Sequence, residues 1–229
     1  MSKKIVKKTK IKFASLLVVL LIILGLFFGV YFLLQVKTKN IIIRGNEYLN
    51  DDYIIDLAGI GKYPGFISFN SLRAEKKVKK SKYISSCDIK KKWGFILEVN
   101  INENKALFYD TNKNKYILET NEIVDDEEIS HEFRVPRLLN YVPDKKYNKF
   151  VKKMSNVKDD ILSRISDIEY QPNDYDKDRF LLYMDDGNMV YLTLTKFNTI
   201  NHYNEVLTQL EGRKGILYLD NGNHFQIMQ

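Results

Sequence analysis

Hydrophobic and polar residues follow three patterns along this chain, and each predicts different elements. From Phe13 to Leu34 the sequence reads FASLLVVLLIILGLFFGVYFLL, 22 residues with neither charge nor proline. At a rise of about 1.5 Å per residue a helix of that length reaches roughly 33 Å, so a transmembrane helix is predicted over 13–34. Gly25 and Gly29 suit membrane depth, where the helix satisfies its own backbone; as a lone small-xxx-small pair they read as lipid-facing residues.

The second pattern, over 38–106, is a succession of short segments. Ile41 to Ile43 form a strand ending at a Gly45-Asn46 turn. Asn50 is placed as an N-cap, Asp51 and Asp52 fall in the first turn where the helix dipole favours acids, and Ile54, Ile55 and Ala58 make an apolar face that stops at Gly59. Gly61, Pro64 and Gly65 mark a loop into Phe66 to Phe69. Asn70 or Ser71 then caps a second helix, with Leu72, Val78 and Tyr83 expected inward and lysines 76, 77, 79, 80 and 82 outward. Cys87 to Lys91 and Phe95 to Asn102 alternate as paired strands around Lys92-Trp93-Gly94. The order is β-α-α-β-β.

The third pattern, over 107–229, is β-rich. Leu107 to Tyr109, Tyr116 to Leu118 and Ile123-Val124 predict a meander, with Asn121 in a left-handed turn. Apolar positions between Lys145 and Ile165 suit two helices or one broken helix. Phe180 to Met184 and Met189 to Leu194 flank Asp185-Asp186-Gly187-Asn188, a strong hairpin signal. Ile200, Tyr203, Val206, Leu207 and Leu210 follow helical spacing up to Gly212, and Gly215 to Asp220 is expected as the final strand.

Charge changes the picture. The net charge of +7 suggests a nucleic-acid partner until the six lysines between Lys3 and Lys12 are set aside. Without them 30 basic residues face 29 acidic ones. The same lysines, opposed beyond the span only by Lys37 and Lys39 nearby, place the N-terminus in the cytoplasm and the bulk outside. The apolar core exceeds the roughly 7–15 residues of a signal peptide and lacks a small-residue cleavage site, so an uncleaved anchor is expected. Residues 37–105 carry 14 basic and 8 acidic side chains and residues 106–229 carry 16 and 21, which argues for two exported modules. The lysine run of the second helix reads first as a solvated face; attraction to an anionic leaflet or acidic wall polymers is the alternative. Cys87 stands alone and reads as a small buried hydrophobe.

IIIRGNEYLNDDYIIDLAGI, GFISFN and SKYISSCDIKKKWGFILEVNINENKA together resemble the POTRA domain of the FtsQ/DivIB cell-division family. Trp93-Gly94 stands where the family often has Trp-Pro, and Asn104 where arginine often follows the acidic residue. Val135-Pro136-Arg137-Leu138 and the hairpin, helix and strand at the C-terminal end resemble the family's β domain. The resemblance implies an α+β architecture: a cytoplasmic basic tail (1–12), a transmembrane signal anchor (13–34), a POTRA domain (38–106) and a mixed β-sheet domain with flanking helices (107–229). It implies a divisome scaffold at the septal cell membrane, single-pass type II, with FtsL-like and FtsB/DivIC-like partners and, indirectly, the septal peptidoglycan synthase.

No catalytic constellation assembles. His131, His202 and His224 are scattered, no H-E-x-x-H, G-x-S-x-G or S-x-x-K occurs, and Gly59, Gly61 and Gly65 miss the dinucleotide spacing. Asp174, Asp176, Asp178 and Asp185 mimic calcium-loop positions, but Arg179 occupies the place that needs glycine. A non-enzymatic scaffold without cofactor, metal, nucleic acid or small-molecule substrate is therefore expected. An envelope chaperone or transport module and an anchored wall hydrolase are the alternatives. Partner contact is expected at Ile216, Leu217, Tyr218 and Leu219, taken as a sheet-edge strand, with Tyr203 and Leu207 on the preceding helix.

Overall fold

The computed structural model describes residues 13–125, 129 and 133–228. The tail 1–12, Asp126 to Glu128 of the acidic run and His131 lie outside the described residues. Helix α1 spans Phe13–Gln35 and buries none of its residues against the rest of the chain. By length and composition it is long and apolar enough to cross a membrane, which suggests a single-pass anchor.

Strand β1 (Asn40–Arg44), helices α2 (Asp51–Ala58) and α3 (Ser71–Val78), and strands β2 (Ile84–Lys92) and β3 (Ile96–Glu103) follow. The three strands form a sheet in the order β1-β3-β2, with β1 parallel and β2 antiparallel to β3. Ile54, Ala58, Ala74 and Val78 from the helices meet Cys87, Ile89, Leu97, Val99 and Ile101 from the sheet in one core. Burial, followed by the nearby Glu75 charge, pushes the Cys87 thiol up to about 11, so it sits in this core as a neutral hydrophobe.

Two local expectations are corrected. Asn50 occupies the N-cap position of α2 but makes no capping bond; the Asn46 amide instead donates to Leu49 C=O and Asp51. Leu72 is 69% exposed, because α3 buries Ala74 and Val78, four residues apart, and Leu72 falls on the opposite side of the helix. Asn70 does cap α3, accepting from Arg73 N–H at 3.0 Å.

Among the described residues the second sheet has nine strands. Strands β4 (Ala106–Asp110), β5 (Lys115–Leu118) and β6 (Ile123–Val124) form the meander, and β7 (Arg137–Leu138) lies parallel between β4 and β8 (Ile165–Tyr170). Helices α4 (Asp144–Met154) and α5 (Asp159–Leu162) separate β7 from β8 along the chain. Next come β9 (Arg179–Met184), β10 (Met189–Thr193), a 3-10 turn at Phe197–His202, α6 (Tyr203–Gln209), β11 (Gly215–Tyr218) and β12 (His224–Ile227). The sheet order is β12-β11-β10-β9-β8-β7-β4-β5-β6. Its core centres on Phe150, stacked on Phe180 at 4.7 Å and tilted against Phe108 at 5.1 Å.

The sheets share a seam. Strand alternation sends Ile117 of β5 into the second core and Tyr116 and Leu118 into the first. Phe133 packs on Tyr48 at 4.5 Å and on Tyr116 at 5.0 Å, and the Tyr83 hydroxyl donates to Asp125 C=O. Glu103, at the end of β3, accepts the backbone N–H groups of Glu47, Tyr48 and Leu49. Charge-assisted bonds of this kind contribute about 1.5–3 kcal/mol each, so Glu103→Ala is expected to lower stability by at least about 2 kcal/mol. Amide exchange over 45–49 in the full chain would check this; unchanged protection there would refute it.

Candidate functional site

The sequence-predicted contact residues gather at the C-terminal end of the second sheet, but not as an edge. Strand β11 pairs with β10 on one side and with β12 on the other. The expectation that Ile216 to Leu219 forms a free edge is therefore corrected: β12 covers it and supplies the edge itself. The missed signal is Asn221-Gly222, a tight-turn pair in which Gly222 takes φ +84°. The four-residue strand beyond it is too short for alternation to declare itself.

Side chains divide along β11 by period two. Leu217 and, just beyond the strand, Leu219 are buried in the core, whereas Ile216 and Tyr218 are half-buried on the other face. Tyr218 stacks on Tyr191 at 5.3 Å and on His224 at 4.5 Å, and its hydroxyl donates to Gln226 Oε1. Leu207 is partly buried against the core. A groove of about 460 Å³ runs between α6 and the last two strands, lined by His202, Val206, Leu210, Leu219 and Phe225 among others.

Tyr203 is a pivot, not a contact surface. It is 1% exposed, donates its hydroxyl to Asp186 at 2.8 Å and accepts from Asn188 Nδ2 at 3.0 Å. Asn188, itself buried, accepts Gly215 N–H at 2.9 Å, where β11 begins. Arg164 Nη2 lies 3.3 Å from Asp186 and from Asp185. The β9–β10 turn thus ties α6, β8 and β11 together. Burial pushes the Tyr203 hydroxyl up, and the Asp186 carboxylate adds to that. Burial also pushes the Asp186 carboxyl up, but the Asn188 backbone N–H, the Tyr203 hydroxyl and the cations of Lys214 and Arg164 outweigh it and hold the group below its ordinary value.

The groups considered for chemistry are engaged elsewhere or apart. His202 faces Glu205 at 3.1 Å, His224 stacks on Tyr218, and Cys87 is in the first core. Asp174 pairs with Lys177, Asp178 with Lys146 and Asp185 with Arg164. Among the described residues no group of three or more His, Cys, Asp or Glu side chains could hold a metal ion. What this end of the molecule offers is backbone donors and acceptors on β12 beside a partly apolar groove.

Residues 36–104 match the family model for the FtsQ-type POTRA domain. The chain is 28% identical to the cell division protein DivIB of Listeria monocytogenes over 232 aligned positions, covering 98% of this chain and 85% of the relative. It is 28% identical to DivIB of Bacillus subtilis over 195 positions, covering 83% and 74%. Among solved structures, the major extracytoplasmic domain of the trans isomer of DivIB from Geobacillus stearothermophilus matches at 21% identity and a TM-score of 0.39, over 48% of this chain and 96% of that one. Residues 36–104 thus form an FtsQ-type POTRA domain, and with its apolar N-terminal helix, β-α-α-β-β module and mixed sheet the chain is similar over most of its length to the DivIB cell-division proteins.

Proposed function

We propose that this chain is a non-enzymatic divisome scaffold. It is a single-pass type II protein whose bulk lies outside the membrane at the septum and which works by being gripped by partner proteins. The observation that carries this reading is the outer edge of β12. Met228 N–H donates to Lys214 C=O at 3.0 Å. Strand alternation then turns the N–H and C=O groups of Phe225 and Ile227 away from β11. An extended segment of an FtsL-like or FtsB/DivIC-like partner can add there as a further strand, linking the scaffold indirectly to the septal peptidoglycan synthase. The opposite edge, β6, is only two residues long and so offers little to a partner strand.

Within that reading Ile216 and Tyr218 lie one strand in from the docked segment and support β12, Leu207 sits on α6 against the core, and Tyr203, Leu217 and Leu219 hold the platform from beneath. Proline at Ile227 removes an outward-facing donor and spares the bonds to β11. Ile227→Pro is expected to weaken capture of the partners at least tenfold, about 1.4 kcal/mol, with the unfolding midpoint unchanged. Full capture by the folded variant would overturn the edge mechanism. A fluorescent fusion of the full chain should gather at midcell, and uniform envelope staining would overturn the division role.

A further inference from the structure

The end of the first module beside the anchor has an unusual surface. Because β1 and β3 are parallel, the chain leaving α1 runs beside the β2–β3 turn: Lys39 N–H donates to Phe95 C=O at 2.8 Å. The loop before α3 joins them, with Thr38 N–H donating to Pro64 C=O at 2.9 Å and Phe66 N–H to Val36 C=O at 2.7 Å. Three segments are thus stitched together within four residues of the last turn of α1.

This end carries apolar side chains that the fold leaves in the open. Trp93 is 99% exposed, held at the turn tip by Gly94 and Phe95, both at positive φ. Tyr63 and Ile67, in the loop before α3 that joins this end, are exposed as well. Cations surround them: Lys39 Nζ lies 5.3 Å from the Phe95 ring, and Lys91 Nζ lies 5.6 Å from the Phe66 ring while donating to Ile67 C=O. Neither Lys39 nor Lys91 forms an ion pair among the described residues, and Lys92 reaches only Glu98 at 3.4 Å. A fully exposed indole at the same end of the module as Lys39, Lys91 and Lys92 suits one environment better than water, the headgroup layer, where tryptophan and tyrosine rings and snorkelling lysines collect.

Building on the reading of α1 as a membrane span, we propose that this end of the module is a membrane-seating face. The indole of Trp93 and the side chains of Tyr63 and Ile67 enter the headgroup layer of the bilayer that α1 crosses, and Lys39, Lys91 and Lys92 meet anionic lipid phosphates. Seating fixes the tilt of the module. Strand β3, eight residues long, then stands as a strut of about 26 Å, and at its far end Lys82 meets Glu122 and Ile123 C=O beside β6. The last turn of α3 lies toward that far end, so the leaflet attraction considered for Lys76 to Lys80 belongs to the lysines beside the anchor.

Trp93 is the chain's single tryptophan, so its fluorescence reports this site alone. The full chain is reconstituted into vesicles of phosphatidylcholine with phosphatidylglycerol, washed at alkaline pH, and probed with iodide on both sides of the bilayer and with brominated phospholipid. The expected result is retention on the vesicles, blue-shifted emission, loss of most iodide quenching and strong quenching by brominated lipid. The K39Q/K91Q/K92Q variant should lose much of that lipid quenching when phosphatidylglycerol is present and change little in phosphatidylcholine alone. Retained protein with water-like emission and full iodide quenching would overturn the seating face and leave the anchor standing. Release in the alkaline wash would overturn the anchor reading itself, and the seating face with it.

Discussion

Alanine at Gly45, although the position is exposed, is expected to destabilise the first module by at least about 3 kcal/mol. Gly45 ends β1 at φ +84°, where an L side chain is already strained by about 1–2 kcal/mol. An added Cβ would also lie 2.1 Å from the backbone C=O of Ile101. That oxygen belongs to β3, the central strand, so it cannot swing aside like a side chain; β1 and β3 must separate or the turn must rebuild. Rebuilding would break the bonds from Glu47, Tyr48 and Leu49 N–H to Glu103. Denaturant unfolding of the full chain in detergent, with amide exchange over 40–49 and 96–103, measures the effect. A Gly45→Ala chain with wild-type midpoint and protection would refute this account of the turn.

Tyr203 carries the second large effect. Truncating this buried ring to alanine is expected to cost about 3–5 kcal/mol in the second module, so lost partner binding in Tyr203→Ala would report unfolding, not a missing contact. Tyr203→Phe keeps the ring, loses the bonds to Asp186 and Asn188, and is expected to cost about 1 kcal/mol or somewhat more. Tyr203→Phe is also expected to differ from the unsubstituted chain in acid. The Asp186 carboxyl is depressed in the folded chain from an ordinary value of 3.8. Its contribution is therefore fully present above that value and is lost as the pH falls through the folded value, so stability declines below pH about 4. Removing the Tyr203 hydroxyl lessens the depression, and Tyr203→Phe should show a shallower decline over the same range. Parallel acid slopes for the two proteins would show that the hydroxyl does not tune Asp186.

Much of the fold is legible from local rules. The anchor is a matter of composition, and Gly59 at φ +68° and Asn121 at φ +64° sit where those residue types avoid strain. Alternation marks both hairpins flanking Gly94 and Gly187. The candidate site is less legible. Tyr203 and Leu207 share a helical stripe, and spacing cannot distinguish a stripe that fills a core from one that awaits a partner. Leu72 misleads for the same reason, since the small residue Ala74 meets the core and the large one does not. Strand β7 has two residues and pairs with strands distant in sequence, so no local pattern could declare it.

By itself the amino-acid sequence determined the charge-free span, the β-α-α-β-β order, the turns and the alternating strands, because each depends on residues within about one turn or one strand of each other. The tertiary structure alone decided that β12 caps β11, that Tyr203 lies beneath the edge, that β5 serves two cores, and that Trp93 stands beside the anchor. Those outcomes depend on which strands become neighbours, and strand order is set by contacts between residues tens of positions apart.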